Sequence, residues 1–248
     1  MDAVKELEGR VALVTGAGRN IGRAMALELA AGGAAVVVNV RSNLTQAESV
    51  CHDIEAAGGK AIAIAADVAE AADVDRMVAT AVGRFGRIDY LVNNAAVRGE
   101  QPLERMTYAD WRKVLDSILD GTFHCVKACL PHLKESGGGA IVNIGGLSGH
   151  TGAKDRIHVV TAKSGLVGMT RALAYELADA KVTANLVVPG LVATPRAKEP
   201  HHHGLHHPLF GEQGQPGDIA AMVRFLCGPG ARYINGQTIH LSGGAYFG

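Results

Sequence analysis

The chain has 248 residues, and its 24 basic and 24 acidic side chains balance to a formal charge of zero. Apolar residues make up 48% and charged ones 19%, which excludes intrinsic disorder, and the absence of a basic block argues against a nucleic-acid partner. No apolar run approaches the ~18 residues a membrane span needs, and the charged start lacks a signal-peptide core. The expectation is therefore a cytoplasmic protein without a membrane partner. Gly is abundant, 32 of 248 residues against a ~7% average, and the 11 His are unevenly placed. Four scattered cysteines, Cys51, Cys125, Cys129 and Cys227, form no CxxC pair and are expected to be buried thiols; Cys125 and Cys129 share a helix face.

Short apolar runs alternate with longer helical stretches. The strand candidates are residues 11–14, 35–38, 61–64, 91–92, 140–144 and 186–188. Between them lie helix candidates at 21–31, 46–57, 74–85, 108–134, 162–177 and 218–226. Thr45 followed by Glu48 reads as a capping box for the second helix. Continuous apolarity, rather than alternation, marks strands covered on both faces. The alternation predicts an α/β fold, a doubly wound Rossmann-type parallel sheet flanked by helices, in a single domain over 1–248. The least regular stretch is 189–216; a loop of this length in a compact domain is usually functional.

Thr15-Gly16-Ala17-Gly18-Arg19-Asn20-Ile21-Gly22 follows the first strand and opens the first helix. Glycines there let the backbone turn sharply and approach a pyrophosphate seated on the helix N-terminus.

At this point the chain resembles the short-chain dehydrogenase/reductase family. Thr15, Gly16 and Gly22 match that family's TGxxxGxG turn, with Asn20 in place of the central Gly; Asn tolerates a left-handed backbone better than other side chains. Asp67-Val68 resembles its adenine-contacting pair, and Asn93-Asn94-Ala95-Ala96 its NNAG motif. Pro189-Gly190, with Val192 and Thr194, is similar to its PGxxxT segment along the cofactor. Asn235-Gly236-Gln237 and Gly243-Gly244 resemble its C-terminal stretch. The resemblance implies a mainly seven-stranded sheet, a nicotinamide cofactor, a small-molecule substrate, a lid at 189–216, and a homo-oligomer, tetramer or dimer, built on the helices at 108–134 and 162–177.

The end of the second strand speaks to cofactor choice. A carboxylate there would accept bonds from a ribose 2′-OH and repel a 2′-phosphate. Val40 stands at that position, followed by Arg41-Ser42-Asn43, and Arg41 and Arg19 are both placed to meet a phosphate. NADP(H) is accordingly favoured over NAD(H).

The catalytic pattern departs from the resemblance. The family's machinery is Asn, Ser, Tyr and Lys. Lys163-Ser164-Gly165 matches the Lys segment, but Val159 occupies the Tyr position, Gly146 the Ser position and Ile118 the Asn position. Replacement acids are His158, adjacent to the lost Tyr, Ser148 and His150 beyond the fifth strand, and Asp120, which is expected to face Lys163. The 2,4-dienoyl-CoA reductase branch of the family also lacks the Tyr. Leu119-Asp120-Gly121-Thr122 and the spacing from His158 to Lys163 are similar to it; by that likeness Asp120 replaces its Asn and Ser148 its Tyr. The expected activity is hydride transfer to a carbonyl or activated C=C; a lyase or isomerase on the same frame and a cofactor-binding protein without turnover are the alternatives. Five His cluster at 201–207 near Glu199 without the spacing of a metal motif, so a polar lid is expected there rather than a metal site.

Overall fold

The computed structural model describes residues 5–195 and 207–248. Its strands are β1 (Val11–Val14), β2 (Ala35–Val40), β3 (Lys60–Ala65), β4 (Tyr90–Asn93), β5 (Ala140–Ile144), β6 (Thr183–Pro189) and β7 (Thr238–Leu241). They form one sheet in the order β3-β2-β1-β4-β5-β6-β7, and every neighbouring pair is parallel. The doubly wound seven-stranded sheet expected from the alternation is thus present, with β7 as a strand the apolar runs did not mark. Its four residues are all only partly buried, so it shows no continuous apolar run.

Successive strand residues feed opposite layers, as a pleated backbone requires. Ala12 and Val14 face α1 (Asn20–Ala31), α2 (Leu44–Ala56) and α8 (Pro216–Cys227), joining Met25, Leu29, Val50, Ile54 and Val223. Val11 and Leu13 face α3 (Ala71–Phe85) and α5 (Gly121–Glu135), joining Met77, Cys125, Cys129 and Leu133. All four cysteines are buried free thiols, and Cys125 and Cys129 share the second layer as their spacing implies. A smaller cluster lies between α4 (Tyr108–Leu115), α7 (Ile157–Glu176) and β6.

Several local expectations are corrected. The second helix begins at Leu44, and its cap is Asn43, whose side chain accepts from Gln46 N; the Thr45–Glu48 capping box does not form. The stretch at 108–134 is not one continuous α-helix. A π-turn at Asp116–Asp120 separates α4 from α5. α7 starts at Ile157 rather than 162, because 158, 159, 162, 163, 166, 170 and 174 form one buried stripe against the sheet, and that packing outweighs the poor helix propensity of Val159, Val160 and Thr161. In the stretch at 189–216, β6 runs to Pro189, Val192 bridges Gly214, and α8 begins at Pro216. Glu199, His201, His202, His203 and His206 lie outside the described residues.

The strand starts are tied by a carboxylate. Asp89 has a fully buried side chain; it accepts from Val11 N at 2.9 Å, Arg10 at 2.8 Å and Arg87 Nε at 2.8 Å. Removing it takes the side-chain partner from Val11 N–H and leaves the Arg10 and Arg87 guanidinium groups with only the Ser136 carbonyl between them. Asp89→Ala is expected to cost about 3 kcal/mol of unfolding free energy, read by urea denaturation. A loss below about 1 kcal/mol would show that water replaces the carboxylate without penalty.

Candidate active site

The Gly-rich turn lies at the strand ends where the order of connection reverses, between β1 and β4. Gly16 has φ +63 and Asn20 φ +50, so Asn20 takes the left-handed conformation that its side chain tolerates. A Cβ on Gly22 would run into the Gly16 carbonyl oxygen and sit 2.9 Å from Ala17 Cα. Arg19 caps α1 in extended conformation without a side-chain cap bond, which leaves the first-turn N–H groups to a ligand. Ile21 is buried beneath.

Hydrogen bonds fasten this turn to β4. Thr15 Oγ accepts from Asn94 N at 2.9 Å and Ala95 N at 3.0 Å. Asn94 Nδ2 donates to the carbonyls of Thr15 at 2.9 Å and Gly16 at 3.0 Å. Asn39 Oδ1 accepts from Gly16 N. The crevice beyond has a volume of about 370 Å³ and is lined by Arg41, Asp67, Val97, Arg112, Asp116 and Ser117, among others. Ser42 is exposed beside Arg41, and Val68 is buried next to Asp67. At the other end Gly190 packs against Ser242, so closely that a Cβ there would sit 2.7 Å from its Cα. The uncapped first-turn N–H groups of α1, beside the left-handed turn at Gly16 and Asn20, fit the phosphates of a dinucleotide.

At the chemical end, Lys163 is buried and gives one N–H to Ile144 O at 2.5 Å. Gly149, in the short helix α6 (Ser148–Thr151), lies directly on it; a Cβ there would come 2.9 Å from Lys163 Cβ. Burial, and then the charges of Arg98 and Arg156, pull the Lys163 ammonium down to about 7. The chain Asn93–Asn143–Thr170, with bonds of 2.9 Å at each step, sets α7 against β4 and β5.

The three positions that depart from the family pattern behave differently. Ile118 is 1% exposed and Val159 3%, and both belong to the apolar cluster of α4, α7 and β6. Ile118 lies within the π-turn, an irregularity frequent at functional sites. Gly146 is open: a Cβ there meets only Lys163 Cγ, at 4.0 Å.

The other candidates are dispersed. His158 is 3% exposed, its Nε2 faces Gly99, and its Nδ1 is buried without a hydrogen bond among the described residues. Burial, joined by the Arg156 charge, holds its ring below the usual histidine range, although the Arg156 backbone and Asp110 act the other way. Asp120 does not pair with Lys163; it accepts from Arg112 at 2.5 Å on a partly exposed surface. His150 packs edge-on against His240, ring centroids 4.6 Å apart, and against Tyr246 at 5.8 Å. Ser148 opens α6, one residue from the Gly149 contact with Lys163. Arg98 and Arg156, which act on Lys163, carried no motif signal; only the fold brings them to it.

Fold and site together define an α/β protein with a dinucleotide crevice at the strand ends. A family model described as "Enoyl-(Acyl carrier protein) reductase" matches residues 16–246. The chain belongs to the short-chain dehydrogenase/reductase family and is an enzyme of its oxidoreductase class. It is 42% identical over 240 residues to a 3-oxoacyl-(acyl-carrier-protein) reductase of Synechocystis, covering 96% of this chain and 97% of that one. A Staphylococcus aureus protein of the same name, FabG, is 39% identical over 239 residues, with 95% and 97% covered. Among solved structures, a dehydrogenase/reductase from Sinorhizobium meliloti 1021 superposes with a TM-score of 0.93 at 32% identity, covering 100% and 99% of the two chains. A blue fluorescent protein from a metagenomic library, solved in complex with NADPH, gives 0.91 at 34% identity, covering 98% and 100%. No helix among the described residues is long and apolar enough to cross a membrane.

Proposed function

We propose that the protein is an NADP(H)-dependent oxidoreductase acting on the carbonyl or activated C=C of a small molecule with a non-standard acid–base set. The observation that carries this reading is an intact dinucleotide cradle beside a buried Lys163 whose Tyr and Ser companions are Val159 and Gly146. NADP(H), when bound, supplies or accepts the hydride.

Gly16, Asn20, Ile21 and Gly22 would present backbone to the pyrophosphate, and Asp67, Val68, Asn94, Ala95 and Ala96 would line the adenosine side. Pro189, Gly190, Val192 and Thr194 would lie along the nicotinamide side. Arg41, with Arg19, suits a 2′-phosphate, and the NADPH complex of the metagenomic relative supports that choice. One Lys163 N–H goes to Ile144 O, which leaves two for the ribose hydroxyls and the reacting atom. A buried ammonium that titrates near neutrality can hold and release a proton at Nζ. His158, its ring held below the usual histidine range by burial, meets the loop after β4 at Gly99, Ser148 flanks the lysine, and Asp120 accepts from Arg112. Exposed Tyr108, Phe123 and Tyr175 on α4, α5 and α7 support a homodimer or homotetramer built on those helices.

In a fluorescence titration, Arg41→Ala is expected to weaken NADPH roughly tenfold while leaving NADH nearly unchanged. Parallel losses for both cofactors would overturn the NADP(H) assignment. A screen of carbonyl and enoyl substrates followed by NADPH absorbance tests turnover. Reduction requires protonated Lys163, so kcat is expected to fall as pH rises through about 7. Lys163→Arg keeps the cation but cannot release its proton in this range, so turnover should be lost while NADPH still binds in the fluorescence titration. Turnover that survives in Lys163→Arg with the same pH dependence would assign the proton to another group.

A further inference from the structure

A cluster of three rings ties the edge of the sheet to the short helix beside Lys163. Ile239 and Leu241 of β7 pack into the layer of α1 and α8, so the pleat turns His240 to the opposite face. There its ring lies edge-on to His150 of α6, centroids 4.6 Å apart, and 4.7 Å from the ring of Tyr246 in the C-terminal segment. The Nε2 atoms of both imidazoles are shut off from solvent and have no hydrogen-bond partner among the described residues. α6 itself is fixed in place: Ser164 Oγ donates to Gly149 O at 2.6 Å, and Gly149 lies on Lys163. On its other side the C-terminal segment seats residues 207–214. Leu209 N donates to Gly243 O at 2.7 Å, and a Cβ on Gly243 would come 2.9 Å from Pro208 Cβ. Apart from the rings, Tyr246 is held by a long bond, 3.5 Å, from Ser242 Oγ to its carbonyl.

We propose that His150, His240 and Tyr246 form an acid-labile clasp, which holds the C-terminal segment and residues 207–214 against α6 at neutral pH and releases them when an imidazole takes a proton. A neutral imidazole tolerates a buried Nε2 without a partner, because that nitrogen either carries no proton or directs its N–H at the neighbouring ring. An imidazolium carries N–H on both nitrogens, and a buried charged donor without an acceptor is costly. Burial already holds both rings below the usual histidine range, and on His240 the charge of His150 adds to it. Among the described residues no carboxylate acts on either ring. The other ionisable groups around the cluster bring no compensation: Lys163 lies behind Gly149 and is itself a cation, while His207 and Glu212 are exposed on the 207–214 segment. The face of Tyr246 offers a cation weak attraction, less than the lost water bonds cost. Once released, the rings regain water and titrate near the ordinary value of about 6.5. The sign follows: the stability of the clasp is complete above that value and is lost as pH falls below it. The clasp needs neither cofactor nor substrate to work, so it stands apart from the proposed reaction.

The test is hydrogen–deuterium exchange on the full chain between about pH 7.5 and about pH 5, with rates corrected for the intrinsic pH dependence of amide exchange. Protection of peptides from 207–214 and 242–248 is expected to fall roughly tenfold across that range, while the β5 peptide at 140–144 keeps its protection. The double variant His150→Phe, His240→Phe keeps three rings but takes no proton, so its protection should stay at the wild-type neutral value throughout. If the β5 peptide shows that this variant does not fold, histidine proton NMR of the wild type takes its place. Two rings should then titrate below the usual histidine range, together with a shift of one tyrosine ring. Flat protection in the wild type, a loss that persists in a folded double variant, or histidines that all titrate in the usual range would overturn the clasp. So would a β5 peptide that loses protection in step with the other two, because the whole fold would then be opening.

Discussion

The functional architecture depends on a small hydrogen-bonded knot between Thr15 and Asn94. It sits where β1 and β4 diverge, the one place in the sheet where the chain leaves in opposite directions and a crevice must open. The Thr15 hydroxyl accepts two backbone N–H groups from the end of β4, while the Asn94 amide returns to two carbonyls of the Gly-rich turn. These groups lie beside unpaired strand ends, where lost bonds would have no sheet partner to replace them. The turn is thereby pinned at Gly16, and everything further along the crevice inherits its position. The Asn93–Asn143–Thr170 chain then carries the same order to α7, and so to Lys163.

Ile118, Val159 and Gly146 stand where the family resemblance expects Asn, Tyr and Ser. Ile118 and Val159 do not leave holes; they join Val114, Leu166, Leu186 and Val188 in a packed cluster. The π-turn persists around Ile118. Lys163 stays, and burial, together with the charges of Arg98 and Arg156, disfavours its ammonium form. On the proposed reading, a cradle for a dinucleotide is joined to a partly apolar chemical end around Lys163, and the cofactor frame needs no change to accommodate it.

Much of this was legible in the residues. The apolar runs at β1, β5 and β6 gave away a sheet covered on both faces, and Gly16, Gly22 and Asn20 announced the turn because only such residues meet its backbone demands. What stayed hidden depended on tertiary packing. β7 alternates too briefly and too weakly to be marked, and α7 begins in β-branched residues that only burial makes helical. The π-turn shifts hydrogen bonds by one residue without a sequence mark. Asn43 displaced the Thr45 capping box because its side chain reaches Gln46 N one turn boundary earlier. Asp120 was drawn to Arg112 on its own helical run rather than to Lys163. Arg98 and Arg156 sit far apart in the chain, so their shared action on one lysine exists only in the fold.

On the proposed reading, this frame performs NADPH-linked chemistry with Val159 and Gly146 in place of the family's Tyr and Ser. Single-turnover NADPH oxidation across a carbonyl and enoyl panel, compared between the wild type and the Gly146→Ser, Val159→Tyr double variant, tests it most directly. The wild type is expected to oxidise NADPH with at least one member of the panel. A silent wild type beside a double variant that gains turnover would contradict it, because the chemistry would then have been deleted rather than rebuilt.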